Sequence, residues 1–83
     1  MTDLVNDLKT QRTTQRMTQE ALAERVGVSR QTIIAIEKAK FVPSVKLALA
    51  LAAALEVSLD RLFWLEGSGE DNPSDNIYEL LSE

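Results

Sequence analysis

Four consecutive residues, Ser29-Arg30-Gln31-Thr32, carry the side chains in this sequence best suited to reading the edge of a base pair. The guanidinium fork of an Arg matches the two acceptors that guanine shows in the major groove. A Gln amide matches the acceptor and donor of adenine. Hydroxyls such as those of Ser29 and Thr32 suit a base or a phosphate. On an ideal helix at about 100° per residue, Ile33 and Ile36 fall together and define an inner side. Gln31, Ala35 and Lys38 then lie on the opposite side, and the Ala35 methyl can meet that of thymine. A solvated helix start also contains such residues, so the pattern gains meaning only from a scaffold that presents it.

Other chemistry is scarce. The chain has no Cys and no His. Disulfides, the usual zinc sites and Cys or His nucleophiles are therefore excluded together. There is no Gly-rich phosphate loop. The acids and serines are accounted for as helix caps and surface charge, and no pair of carboxylates stands out. No enzyme, metal site or cofactor is expected.

The elements that position Ser29–Thr32 read as helices, because apolar residues recur at spacings of three and four and strand signals are nearly absent. Leu4, Val5 and Leu8 start a first helix, with Thr2 or Asp3 as N-cap. Thr18 caps a second helix to about Val26, and Gly27 stops it by entering the left-handed conformation. Ser29 caps a third helix to about Lys38. After the connection Lys40-Phe41-Val42-Pro43, Ser44 caps a fourth helix ending near Leu55, rich in the strong helix formers Ala and Leu. Ser58 caps a short fifth helix containing Leu59, Leu62, Phe63, Trp64 and Leu65.

The second and third of these helices carry a tighter pattern. Two helices that cross through a short turn need a small residue where they meet, and Ala23 is in place. The turn needs Gly, and Gly27 lies four residues later. Apolar residues must face the partner helix and the body, and Leu22, Val26, Val28, Ile33 and Ile36 supply them. This is the helix-turn-helix plan over about 18–38, whose second helix enters the major groove of double-stranded DNA.

Several stretches carry a resemblance to a known family: Met17-Thr18-Gln19-Glu20-Ala21-Leu22-Ala23, Val28-Ser29-Arg30-Gln31-Thr32-Ile33, Ile36-Glu37-Lys38-Ala39-Lys40, Pro43-Ser44 and Val57-Ser58-Leu59-Asp60-Arg61-Leu62-Phe63. The chain resembles the Cro/XRE-type helix-turn-helix regulators, which include the phage repressors, from about Leu4 to Leu65. The resemblance implies an all-α fold, a compact five-helix bundle, here followed by a short acidic C-terminal tail. It implies base contacts from Gln19, Ser29, Arg30, Gln31, Thr32 and Ala35. Phosphate contacts are implied at Thr18, Lys38, Lys40 and the backbone near Phe41, and the helix starts at Thr18 and Ser29 offer free amides to phosphate. Arg12 and Glu37 match a structural ion pair between the first and third helices.

The sequence departs from the family pattern at four places. Gln11 stands where an apolar residue is usual, and Ile34 where a small or polar one is. Ala39 and Glu56 each replace a common Gly. The loop at Ala39 must either avoid positive φ or accept strain of about 1–2 kcal/mol. None of the four is a base-reading position.

Length, charge and patterning complete the expectations. The 83 residues suffice for one domain, read as a DNA-binding domain over 1–65 with a linker and tail over 66–83. So small a domain gains from oligomerising. The cluster Leu59, Leu62, Phe63, Trp64 and Leu65 is read as a homodimer interface, the alternative being that it closes the monomer core. The net charge of −4 is divided unevenly, +3 over residues 1–46 and −7 over 47–83. That asymmetry suggests one basic face. Ser74 could cap a turn of helix with Ile77, Tyr78 and Leu81 in the tail, which stays unfolded, packs on the core or binds a protein partner. The longest apolar run, Leu47 to Leu55, is far short of the about 20 residues that span a bilayer. No basic N-terminal region precedes an apolar stretch, so no signal peptide is expected, and a reducing cytoplasm suits the chain. The functional expectation is a transcriptional regulator, a repressor sooner than an activator, bound as a homodimer to a palindromic operator. A protein-binding adaptor or antitoxin-like module on the same fold is the alternative.

Overall fold

The computed structural model describes residues 3–67. Two short strands and five helices follow in the order β1 (Leu4–Asn6), α1 (Leu8–Thr14), α2 (Gln19–Val26), α3 (Arg30–Glu37), α4 (Val45–Leu55), α5 (Leu59–Leu62) and β2 (Phe63–Leu65). The core is one apolar cluster. Leu8, Leu22, Ile33, Ile36, Leu51, Leu55 and Leu62 are fully buried, with Ala23, Ala48, Ala52 and Phe63 beside them. Each helix contributes the residues that its spacing of three and four places on one side. Among the described residues no helix is long and apolar enough to cross a membrane.

The expectation of an all-α chain is corrected at both ends. Leu4 and Val5 do not start α1. They pair antiparallel with Leu65 and Trp64, and Asn6 pairs with Phe63. The ladder is extended by Asp7 N–H donating to the Leu62 carbonyl (3.0 Å) and Glu66 N–H donating to that of Asp3 (2.8 Å). The fifth helix correspondingly stops at Leu62, and its last three expected members form β2. Aromatic and β-branched residues favour such a pleated, half-buried ribbon. Asn6 makes the change from strand to helix. Its Oδ1 accepts from Leu8 N–H (3.1 Å), and its Nδ2 donates to the Ile36 carbonyl (2.9 Å), tying the α1 start to α3. The Ser58 side chain makes no capping bond to α5.

Thr18, Ser29 and Ser44 cap α2, α3 and α4, each hydroxyl accepting from the N–H three residues on. The opposite ends of α1 to α4 share one design. Arg16, Gly27, Ala39 and Glu56 are left-handed, with φ of 57°, 75°, 59° and 56°. Each donates its N–H to the carbonyl three residues back, and the next N–H reaches the carbonyl five back, as from Met17 to Arg12 and from Lys40 to Ala35. Four helices thus end in the Schellman pattern, which usually places Gly at the left-handed position. Gly27 adopts it freely; the other three carry side chains there.

Among the remaining departures, Gln11 stays half-buried because its Nε2 donates to Asp7 Oδ2 (3.1 Å). Ile34 is half-buried. The expected turn of helix carrying Ile77, Tyr78 and Leu81 lies outside the described residues.

Candidate nucleic-acid interface

The site is assembled from α1, α2 and α3 around one carboxylate. Glu37, the last residue of α3, accepts at Oε2 from Arg12 Nε (2.6 Å) and at Oε1 from Arg12 Nη2 (3.2 Å). Both side chains are almost fully buried, and this is the only ion pair among the described residues. Arg12 Nη1 donates to the Met17 carbonyl (2.8 Å), which fixes the turn leading into α2. Gln19, the first residue of α2, donates from Nε2 to Glu37 Oε1 (3.1 Å). The cluster therefore sets the start of α2 and the end of α3 relative to each other. Its polar atoms are all satisfied, as a buried charge pair requires.

Above this cluster lies an open polar depression lined by Arg12, Thr18, Gln19, Glu20 and Arg30. It brings the first turn of α2 against the first turn of α3, residues that lie up to 18 positions apart from Arg12 to Arg30. Three of its five lining residues, Thr18, Gln19 and Arg30, are ones for which the family resemblance implies DNA contact.

The first turn of α3 divides into two kinds of side chain. Ser29 Oγ accepts from Thr32 N–H (3.2 Å) and lies 3.1 Å from Thr32 Oγ1. These two hydroxyls are engaged with each other and with the cap. Arg30 and Gln31 are exposed, and none of the hydrogen bonds among the described residues uses their side chains. Ala35 is half-buried on the same helix, one turn beyond Gln31. Lys38, Lys40 and Phe41 are exposed on the connection after α3. Thr18 Oγ1 is committed to its own cap, accepting from Ala21 N–H (3.0 Å).

The apolar cluster at the C-terminal side separates into core and surface. Leu62 is fully buried and Phe63 nearly so, both inside the single chain. Leu59, Trp64 and Leu65 remain 37%, 36% and 48% exposed. The strand-to-helix change explains the division, since β2 turns Phe63 inward while Trp64, next along the strand, faces the other way.

Spacing alone did not reveal the bond from Gln19 to Glu37. The two are 18 residues apart, and only the packing of α2 on α3 brings them together.

A family model for the helix-turn-helix matches residues 8–62, from α1 to the end of α5. A helix-turn-helix-type transcriptional regulator of Methanocaldococcus jannaschii is 51% identical over 61 residues, spanning 74% of this chain and 92% of the relative. Another, from Bacillus subtilis, is 52% identical over 48 residues, 58% of this chain and 73% of the relative. Two solved structures are similar in fold. One is the restriction-modification controller protein of Aeromonas hydrophila (30% identity, TM-score 0.63, 65% of this chain and 82% of that one). The other is the P22 c2 repressor in complex with a synthetic operator (34% identity, TM-score 0.62, 64% and 80%). With its capped helix pair, its Gly27 turn and a matching family model over most of its length, the chain belongs to the Cro/XRE-type helix-turn-helix family of transcriptional regulators.

Proposed function

We propose that the protein binds double-stranded DNA sequence-specifically, as a homodimer on a palindromic operator, and represses transcription by occupying that site. The observation that carries the reading is the state of Arg30 and Gln31. Both are exposed on the first turn of α3 with no intramolecular hydrogen-bond partner among the described residues, while their neighbours Ser29 and Thr32 are used by the cap. Arg30 would read guanine and Gln31 adenine, with Ala35 against a thymine methyl. Gln19 would touch a base or phosphate at the groove edge, and Ser29 and Thr32 would add contacts through hydroxyl positions already fixed by the cap. Thr18, Lys38, Lys40 and the Phe41 backbone would hold the phosphates. The similar c2 repressor binds an operator, which supports the same use of the shared fold.

One helix reads few base pairs, and a two-fold dimer places two recognition helices about 34 Å apart, one DNA turn. The surface available for it is Leu59, Trp64 and Leu65; Leu62 and Phe63 support that surface from within. The proposed mechanism needs no cofactor.

Selection from a random duplex pool, followed by titration of the winning site against salt, tests the reading. A palindromic consensus that is lost on Arg30→Ala with Gln31→Ala is the expected result. A second reading, a protein-binding adaptor or antitoxin-like module, draws on the exposed Phe41, Val42, Val45 and Leu49 beside α3 and along α4. No enrichment of any duplex would favour it.

A further inference from the structure

Arg16 carries a feature that the helix-turn-helix reading leaves unused. It ends α1 in the left-handed conformation, φ 57°, at a position where the Schellman pattern favours Gly. A long, β-carbon-bearing cation is held there against its backbone preference, and it is exposed. Among the described residues it has no carboxylate partner. Ala39 and Glu56 hold the same conformation at the ends of α3 and α4, where helix termination accounts for it; what distinguishes Arg16 is its positive charge beside the start of α2.

Its surroundings say what the function would be. Arg16 N–H donates to the Thr13 carbonyl (2.9 Å) and the next N–H, of Met17, to that of Arg12 (3.1 Å). The Met17 carbonyl is gripped in turn by Arg12 Nη1 (2.8 Å), and Arg12 is locked to Glu37. The turn bearing Arg16 is therefore anchored to the end of the recognition helix. Two residues after Arg16 comes Thr18, on the rim of the polar depression that Gln19 and Arg30 also line. Two residues span at most about 7 Å, within the reach of an Arg side chain.

We propose that Arg16 is an additional DNA-backbone contact, placing its guanidinium on the phosphate that flanks the start of α2. This rests on the DNA-binding reading and adds a residue to it. The competing account is that Arg16 only sets its charge against the C-terminal end of α1, where a cation is favourable.

The test compares Arg16→Gly with Glu56→Gly, which relieves the same backbone conformation at the end of α4. Each variant is titrated with the selected operator and with unrelated duplex across a salt series, and each is melted. Both are expected to melt at least as high as the parent. Arg16→Gly alone is expected to weaken both duplexes several-fold and to reduce the slope of log K against log salt by about 0.9 per bound subunit. Arg16→Lys is expected to keep that slope. An unchanged slope for Arg16→Gly, with the parent binding DNA normally, overturns the proposal. A parent that binds no duplex overturns the DNA-binding reading itself, which is a separate outcome.

Discussion

Gln19 donates a 3.1 Å hydrogen bond to the same Glu37 carboxylate that pairs with Arg12. The first residue of α2 is thereby held to the last residue of α3. The amide that would meet DNA at the groove edge is fixed before DNA arrives, with its nitrogen turned to the carboxylate. A preorganised group loses less side-chain freedom on binding.

Gln19→Ala should weaken operator binding and also cost about 1.5 kcal/mol of stability, the worth of a hydrogen bond to a charged group. Glu37 would keep Arg12. Denaturant unfolding and operator titration on one preparation check both effects; an unchanged unfolding midpoint would show that the bond contributes nothing in solution.

The Arg12–Glu37 pair predicts a double-mutant pattern. Arg12→Met alone strands a buried carboxylate and should destabilise the fold by about 3–5 kcal/mol. Arg12→Met with Glu37→Leu should recover a large part of that loss, because no charge is then left unpaired. The unfolding free energies of the two singles and the double measure the coupling. Strict additivity would argue against it.

Ala39 and Glu56 stand left-handed without needing their side chains for any hydrogen bond among the described residues. Ala39→Gly and Glu56→Gly should each stabilise by roughly 0.5–1 kcal/mol, since the about 1–2 kcal/mol of left-handed strain exceeds the entropy that Gly loses on folding. Thermal melts should show Tm rising for each, and rising further for the pair.

Arg30→Ala and Gln31→Ala should each reduce operator affinity by about 1–3 kcal/mol and relax the preference at one base pair. Stability should move by less than about 0.5 kcal/mol, because both residues are exposed and unpaired among the described residues. Selection repeated with each variant identifies the base pair; a loss spread evenly over all sequences would instead mark a phosphate contact.

Leu59 and Leu62 lie on one short helix and predict opposite phenotypes. Leu62→Ala empties a fully buried site and should cost about 2–5 kcal/mol. Leu59→Lys, on the exposed side with Trp64, should leave the monomer fold intact and shift sedimentation toward monomer. If Leu59→Lys sediments as the parent does at micromolar concentration, the proposed dimer surface is wrong.

The sequence by itself determined the helices whose instructions are local. Thr18, Ser29 and Ser44 each cap the helix that follows, Gly27 ends α2, and spacings of three and four select Leu22, Ile33 and Ile36 for the core. These features act within a turn or two of chain, so they can be read one segment at a time. Tertiary structure decided what depends on distant partners. Leu4, Val5 and Leu8 suit the face of a helix equally well, and only pairing with Phe63–Leu65 makes the first two a strand. That same pairing buries Phe63 and leaves Trp64 out. Whether Ala39 would avoid the left-handed region was likewise undecided in the sequence, and Glu56, in place of another common Gly, adopts it as well. Once α3 and α4 are packed, the Schellman bonds that close each helix require it, and the bonds and packing outweigh the strain. The Gln19–Glu37 bond belongs to the same class, since no local signal joins residues 18 apart whose meeting is set by how two helices pack.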